Sequence, residues 1–275
     1  MSSTRFIKPL QEYLASKSDF SIIYNSSSSF INPNTQRICV LDSSFNPPHL
    51  GHYALIEESL TKNYDNIPIA NKVVLLLLSV KNADKVHPKP EPFETRLELM
   101  YLMANDLAKK YPVNVSIGLT NHAKFVDKSL SILNYIKNTE AANHPDIKLT
   151  FLVGFDTLVR IFNPKYYLPD KLSNSLEQFM KNTDLFCLTR TDKAFTVDEQ
   201  SQYVNNIKNG GHEEIPPHWS DNIYLLENLG NEHDLIATIS SSAIRKQIGE
   251  GNEDWKPEVL SEITEYIVQN NLYKH

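Results

Sequence analysis

The chain has 275 residues, with 27 Lys and Arg against 33 Asp and Glu, a net charge of −6 and a pI near 5.9. That acidic balance excludes a nucleic-acid-binding surface as its main purpose. There is no apolar run of about eighteen residues, and MSSTRFIKPLQEYL has no apolar leader, so a soluble protein, neither secreted nor membrane-spanning, is expected, cytoplasmic or nuclear.

Residues 4–15 carry Phe6, Ile7, Leu10, Tyr13 and Leu14 at helical spacing and predict a short amphipathic helix. Ser26 to Ser29 predict a polar loop. Residues 1–35 are read as a helical extension ahead of a main domain, residues 36–275. The next stretch, RICVLDSSFNPPHLGH over residues 37–52, is the most informative of the chain. Ile38, Cys39, Val40 and Leu41 form a continuous apolar run, as in a strand buried on both faces of a parallel sheet. Pro47 and Pro48 push the preceding residues out of helical geometry, so a helix begins only near 49–51 and continues through YALIEESL. His49 and His52 then stand on one side of its first turn. Unpaired N–H groups and the positive end of the helix dipole lie there and suit an anion, above all phosphate. Without a third nearby ligand, zinc is disfavoured, and no metal site is expected.

Lys72 opens KVVLLLLSV, a second buried strand at 72–80, and a proline- and lysine-containing loop follows at 82–92. A helix at 93–110, a strand at 113–119, a helix at 129–136 and a strand at 148–153 come next. This order predicts an α/β fold with right-handed crossovers and a parallel sheet. Ligands bind such sheets at the carboxyl ends of the strands. His49, His52, Lys85, Lys89 and the Gly154-Phe155-Asp156 turn all converge on that edge. Asp156 reads either as a ligand contact or as the N-cap of a helix running to Phe162.

The second half predicts loops at 163–170 and 205–221, a helix at 172–180, strands at 184–189 and 224–226, and helices from 239 and over 258–269. Cys39 and Cys187 both lie in apolar runs and read as buried thiols of a reducing compartment. Residues 191–222 are read as an insertion able to contact a protein partner. In ISSSAIR, residues 239–245, three hydroxyls at a helix start are followed by a guanidinium one turn in. Capping explains one serine. The others, with Arg245, suit terminal phosphate oxygens.

Together SSFNPPHLGH, GFDTL and ISSSAIR resemble the nucleotidyltransferase superfamily with the (H/T)xGH signature, most closely the nicotinamide mononucleotide adenylyltransferases, a divergent fungal branch included. The resemblance covers about residues 37–250. It implies a Rossmann-like parallel sheet flanked by helices, Mg²⁺ with ATP, and transfer of AMP to nicotinamide mononucleotide, giving NAD and pyrophosphate. It implies catalytic roles for His49, His52 and Arg245. ATP would also meet Ser43, Ser44, Phe45, Gly154, Asp156, Arg190, Ser240, Ser241 and Ser242. The acceptor would meet Ser44, Asn46, Lys85, Lys89 and Tyr167. Two departures stand out. Ser43 occupies a position that is usually glycine, and residues 113–121 lack the stacking tryptophan of animal-type enzymes, leaving Tyr167 as the surviving aromatic. Another phosphorylated acceptor, CTP as donor, or an ATP-binding regulatory or quality-control role are the competing readings.

Overall fold

The computed structural model describes residues 5–80, 90–139, 147–190, 194–227 and 238–274. Its strands alternate between two buried faces. In β2 (Arg37–Asp42) Cys39 and Leu41 join one core while Ile38 and Val40 join the other. In β3 (Lys72–Ser79) Val74, Leu76 and Leu78 face the first core and Val73, Leu75 and Leu77 the second. Both faces being covered is why these strands read as unbroken apolar runs rather than alternating ones.

The remaining strands are β1 (Phe20–Asn25), β4 (Asn114–Thr120), β5 (Lys148–Gly154), β6 (Thr183–Leu188) and β7 (Ile223–Leu226). Their order is β1-β4-β3-β2-β5-β6-β7. All neighbours run parallel except β1, which pairs antiparallel with β4. Helices α1 (Ile7–Ala15), α2 (Leu50–Thr61) and α3 (Phe93–Lys110) cover the first face with α8 (Ser241–Gly249) and α9 (Ser261–Gln269). Helices α4 (Phe125–Thr139), α5 (Phe155–Ile161), α6 (Leu172–Asn182) and α7 (Val197–Lys208) cover the second. From β2 the chain winds outward through β3 to β4, then returns to place β5 on the other side of β2. The order reverses between β2 and β5, so a crevice opens at their carboxyl ends.

Two segments singled out in the sequence take definite places in the fold. The amino-terminal segment is not only helical, because FSIIYN forms the edge strand β1. The described part of the segment read as an insertion, residues 194–222, lies on the crossover from β6 to the parallel β7. Within it, Gln200, Ile207, Ile215 and Trp219 are buried against the second face. Trp219 therefore packs the core and takes no part in the crevice. Both cysteines are free and buried.

At the opposite edge a buried ionic layer joins the amino ends of the strands. Arg37 meets Asp65 at 2.9 Å and Asp184 at 2.7 Å, Lys72 meets Asp65 at 3.0 Å, and Lys148 meets Asp184 at 2.7 Å. Such pairs add little net stability, yet removing one partner strands a buried charge. The layer fixes the register of β2, β3, β5 and β6 and so holds their far ends, where the crevice lies. Among the described residues no helix is long and apolar enough to cross a membrane.

Candidate active site

A cavity of about 270 Å³ opens at the carboxyl ends of β2, β5 and β6. Ser43, His49 and His52 line it from the β2–α2 turn, Gly154 and Asp156 from the start of α5, Arg190 from the end of β6, and Ser240 and Ser241 from the start of α8.

The two histidines are locked by the backbone of their own helix. His49 is the N-cap of α2, and its Nδ1 accepts from the Gly51 N–H at 3.1 Å. Nδ1 of His52 accepts from the His49 N–H at 3.2 Å. The rings stack at 3.8 Å between centroids. Burial holds His52 neutral, its pKa lowered to about 4, and pushes His49 down as well, with His52 and Arg190 adding to the effect. A neutral imidazole whose Nδ1 accepts carries its proton on Nε2. Both histidines are therefore Nε2–H donors. For His52 that N–H meets Ser43 Oγ at 3.0 Å. A serine and a histidine at this distance suggest a nucleophile and its base, but the tautomer rules that out, since Nε2 has no lone pair to take the serine proton. The Ser43 N–H is already bonded to the Leu77 carbonyl at 3.3 Å. Its hydroxyl hydrogen is the donor that Ser43 offers the cavity.

Gly154 caps α5, and Asp156 is the second residue of that helix, so the capping alternative for Asp156 falls away. The glycine has a steric reason. A Cβ at residue 154 would lie 2.9 Å from Asp156 Oδ1, which folds back over the turn. That carboxylate is half-exposed and 3.8 Å from Arg190 Nη1. Arg190 is itself aimed by α7. The buried Gln200 accepts from the Arg190 N–H at 3.0 Å and donates to its carbonyl at 2.7 Å.

No protein-family model matches the chain. A Schizosaccharomyces pombe protein named "Putative nicotinamide mononucleotide adenylyltransferase" is 34% identical over 239 residues, 86% of each chain. The chain belongs to the nicotinamide mononucleotide adenylyltransferase family. It is a nucleotidyltransferase. Two Plasmodium falciparum nicotinic acid mononucleotide adenylyltransferase structures, complexed with NaAD and with APC, share its fold. Their TM-scores are 0.53 and 0.51 at 18% and 17% identity, over 86% of this chain and 97% of theirs.

The structure divides the family's expected residues into two groups. Those named above line the cavity; a second set braces the wall behind it. Phe45 is 0% exposed and sits 5.3 Å from the His52 ring, supporting it from the core. Asn46 is buried, with its Oδ1 accepting from the Glu91 N–H at 3.3 Å and its carbonyl from Arg245 Nη1 at 2.7 Å. Ser241 Oγ donates to the Pro47 carbonyl at 2.8 Å. ISSSAIR is thus stitched onto FNPP, and Arg245 points its guanidinium at that loop. Ser242 is exposed and accepts from Arg245 Nη2 at 3.3 Å. The Ser44 side is open to solvent, while its carbonyl accepts from the buried Arg96 at 3.1 Å. Tyr167 does not line the cavity; its hydroxyl donates to the Ile161 carbonyl at 2.7 Å. The ring that does is Phe125. Lys85 and Lys89 lie outside the described residues.

Sequence reading missed Gln200, Arg96, Glu91 and Tyr273, whose N–H donates to Glu91 Oε1 at 2.9 Å. Only Gln200 left a trace. The Thr196-x-x-Glu199 capping box starts α7 and sets Gln200 on its inner face.

Proposed function

We propose that this chain transfers AMP from Mg²⁺–ATP to nicotinamide mononucleotide, giving NAD and pyrophosphate. An oxygen of the acceptor's 5′-phosphate attacks the α-phosphorus. The new P–O bond forms as the bond to the β-phosphate oxygen breaks, and pyrophosphate leaves with the electron pair. The acceptor phosphate is already anionic, so no general base is needed. What the protein must supply is alignment and donors for charge building on the nonbridging and leaving oxygens.

The observation that carries this reading is the pair of neutral Nε2–H imidazoles fixed at the start of α2, facing the serines that start α8 across one cavity. In this assignment the α-phosphate meets the Ser43 hydroxyl, backed by the His52 N–H, and His49 serves the leaving side. Asp156 holds a ribose hydroxyl, and Arg190 with the Ser240 hydroxyl and the backbone N–H of Ser241 takes the remaining phosphates. Arg245 acts by fixing the loop at Asn46. Among the described residues no cluster of three His, Cys, Asp or Glu side chains could hold a metal ion. Mg²⁺ keeps several waters and needs few protein ligands, so in this proposal it enters with the nucleotide substrate and no protein step runs through it. The name of the fungal relative supports the choice of acceptor.

The test is incubation of the folded protein with Mg²⁺–ATP and the mononucleotide, following NAD by chromatography and pyrophosphate by a coupled assay. Absence of both products with nicotinamide mononucleotide would overturn the proposal.

A further inference from the structure

Next to the phosphate-facing residues, the same cavity has a corner that this scheme does not use. Asp42 is the last residue of β2, immediately before Ser43, and lines the cavity. Its side chain lies on the second face of the sheet, under the first turn of α4. There Lys128 Nζ bonds Asp42 Oδ2 at 2.5 Å. The two ends of this pair are not equally covered. The Lys128 side chain is 2% exposed and the Asp42 side chain 13%. Lys128 is sealed beneath the helix, with its Nζ 5.4 Å from the centre of the Phe125 ring, while the carboxylate keeps an edge open to the cavity. Oδ1 has no hydrogen-bond partner among the described residues.

Phe125 and Lys128 are three residues apart at the start of α4 and so share one face of that helix. The corner therefore presents an aromatic ring, a free carboxylate oxygen and no uncovered cation among the residues that form it. An ordinary solvated ion pair would look different. Here burial alone raises the Asp42 pKa, and only Lys128 opposes it. Burying two charges costs desolvation that apolar side chains would not incur. What it gives the cavity is an oriented acceptor.

We infer that Asp42, held by Lys128 beside the Phe125 ring, reads the pyridine ring of the acceptor by accepting a hydrogen bond from its carboxamide N–H, and so selects the amide mononucleotide over the acid one. The inference rests on the adenylyltransferase reading above. A carboxamide donates to the open oxygen; a nicotinate carboxylate has no proton to give and meets like charge at close range. Lys128 cannot reverse that preference, because its ammonium is behind the carboxylate and spent on it. A site that hydrogen-bonds a substrate N–H discriminates far more strongly than one that only fits its shape.

The experiment compares kcat/KM for nicotinamide and nicotinate mononucleotides at saturating Mg²⁺–ATP in the wild type, Asp42→Asn, and the doubly neutral Asp42→Asn/Lys128→Met. The second variant guards against misfolding of the first, since it leaves no unpaired buried ammonium. The wild type should favour the amide by at least tenfold. Both variants should shrink that ratio at least tenfold, chiefly by lowering KM for the acid, with KM for ATP unchanged. Phe125→Leu should raise KM for both acceptors alike. A ratio that stays constant in variants that melt like the wild type, or a wild type that favours the acid, would overturn the inference. So would a change in the preference for ATP over ITP, which would place the donor's base in this corner. If neither acceptor yields a dinucleotide, the adenylyltransferase reading fails on its own. Calorimetric binding of the two mononucleotides to the wild type and Asp42→Asn then decides the corner's role, an unchanged affinity ratio or no binding of either counting against it.

Discussion

Replacing Ser43 with alanine isolates the contact between the turn after β2 and the first turn of α2. The substitution removes one hydroxyl, which receives the His52 Nε2–H at 3.0 Å and holds its own hydrogen toward the cavity. Stability should change little. One partly buried neutral hydrogen bond contributes about 1 kcal/mol, which lowers the melting temperature by only about 2–4 °C in a chain of this size. Catalysis should change much more. A preorganised donor facing the oxygen where charge develops contributes about 3 kcal/mol, so kcat should fall on the order of a hundredfold. In the proposed arrangement, losing the hydroxyl leaves the imidazole N–H without the donor that would relay it to the phosphate. The two side chains should then behave as a unit. His52→Ala added to Ser43→Ala should cost little beyond either change alone, as expected for groups in one chain of hydrogen bonds. Ser43→Thr, which keeps the hydroxyl, should retain most of the rate. The assay is steady-state pyrophosphate release at saturating substrates, with ¹⁵N-imidazole NMR to read the tautomer. A kcat within twofold of wild type in Ser43→Ala, fully additive losses, or a proton found on His52 Nδ1 would each refute the argument.

Further expectations concern pH and the supports of the site. The pKa of His52 is lowered to about 4 from 6.5, so on acidification the unfolded chain takes up its proton first. Its contribution is complete above about pH 6.5 and is lost toward pH 4, about 3 kcal/mol in all, with His49 acting in the same direction. Urea midpoints measured from pH 7 to pH 4.5 should fall less steeply in His52→Asn than in the wild type; parallel curves would count against the neutral histidine pair. Gly154→Ala should leave the melting temperature nearly unchanged, because the atom it crowds is the movable end of Asp156. It should raise KM for ATP about tenfold, the worth of one charge-assisted hydrogen bond, and an unaltered KM would detach Asp156 from the ribose. Gln200→Leu should likewise raise KM for ATP by releasing the Arg190 peptide, without altering the acceptor KM. Asp184→Ala should cost about 3–5 kcal/mol in denaturant unfolding, because Arg37 and Lys148 would lose their shared buried carboxylate.

Local sequence and tertiary contact contribute unequally to the site. The strand at 37–41, the proline stop and the late helix start at 50 follow from neighbours along the chain, and the structure places them there. The edge strand FSIIYN has four apolar residues in six but not the strict alternation of a strand, and its register shifts between Ile22 and Tyr24; pairing with β4 makes it a strand. Phe45 and Asn46 read as substrate contacts because they sit inside the motif. Their side chains instead face inward, and nothing in a linear sequence distinguishes the two sides of a loop. Tyr167 and Phe125 show the same limit. Both are aromatics near the right strands, and only packing decides that Tyr167 bonds a carbonyl of its own loop while Phe125 lines the cavity.

By itself the sequence determined the parallel α/β scaffold, the helix start beneath His49 and His52, and the family signature, because each depends on residues within a turn or two of one another. Tertiary structure alone decided that His52 Nε2–H points at Ser43, that ISSSAIR grips FNPP across nearly two hundred residues, and that Asp42 meets Lys128. Ser43 and His52 meet across the single turn from β2 to α2, whereas the other contacts join segments far apart in the chain, through helices packed against the sheet, and those of ISSSAIR end on backbone carbonyls. Hydrogen-bond direction and burial, on which the chemistry depends, are fixed only when those distant segments close around one cavity.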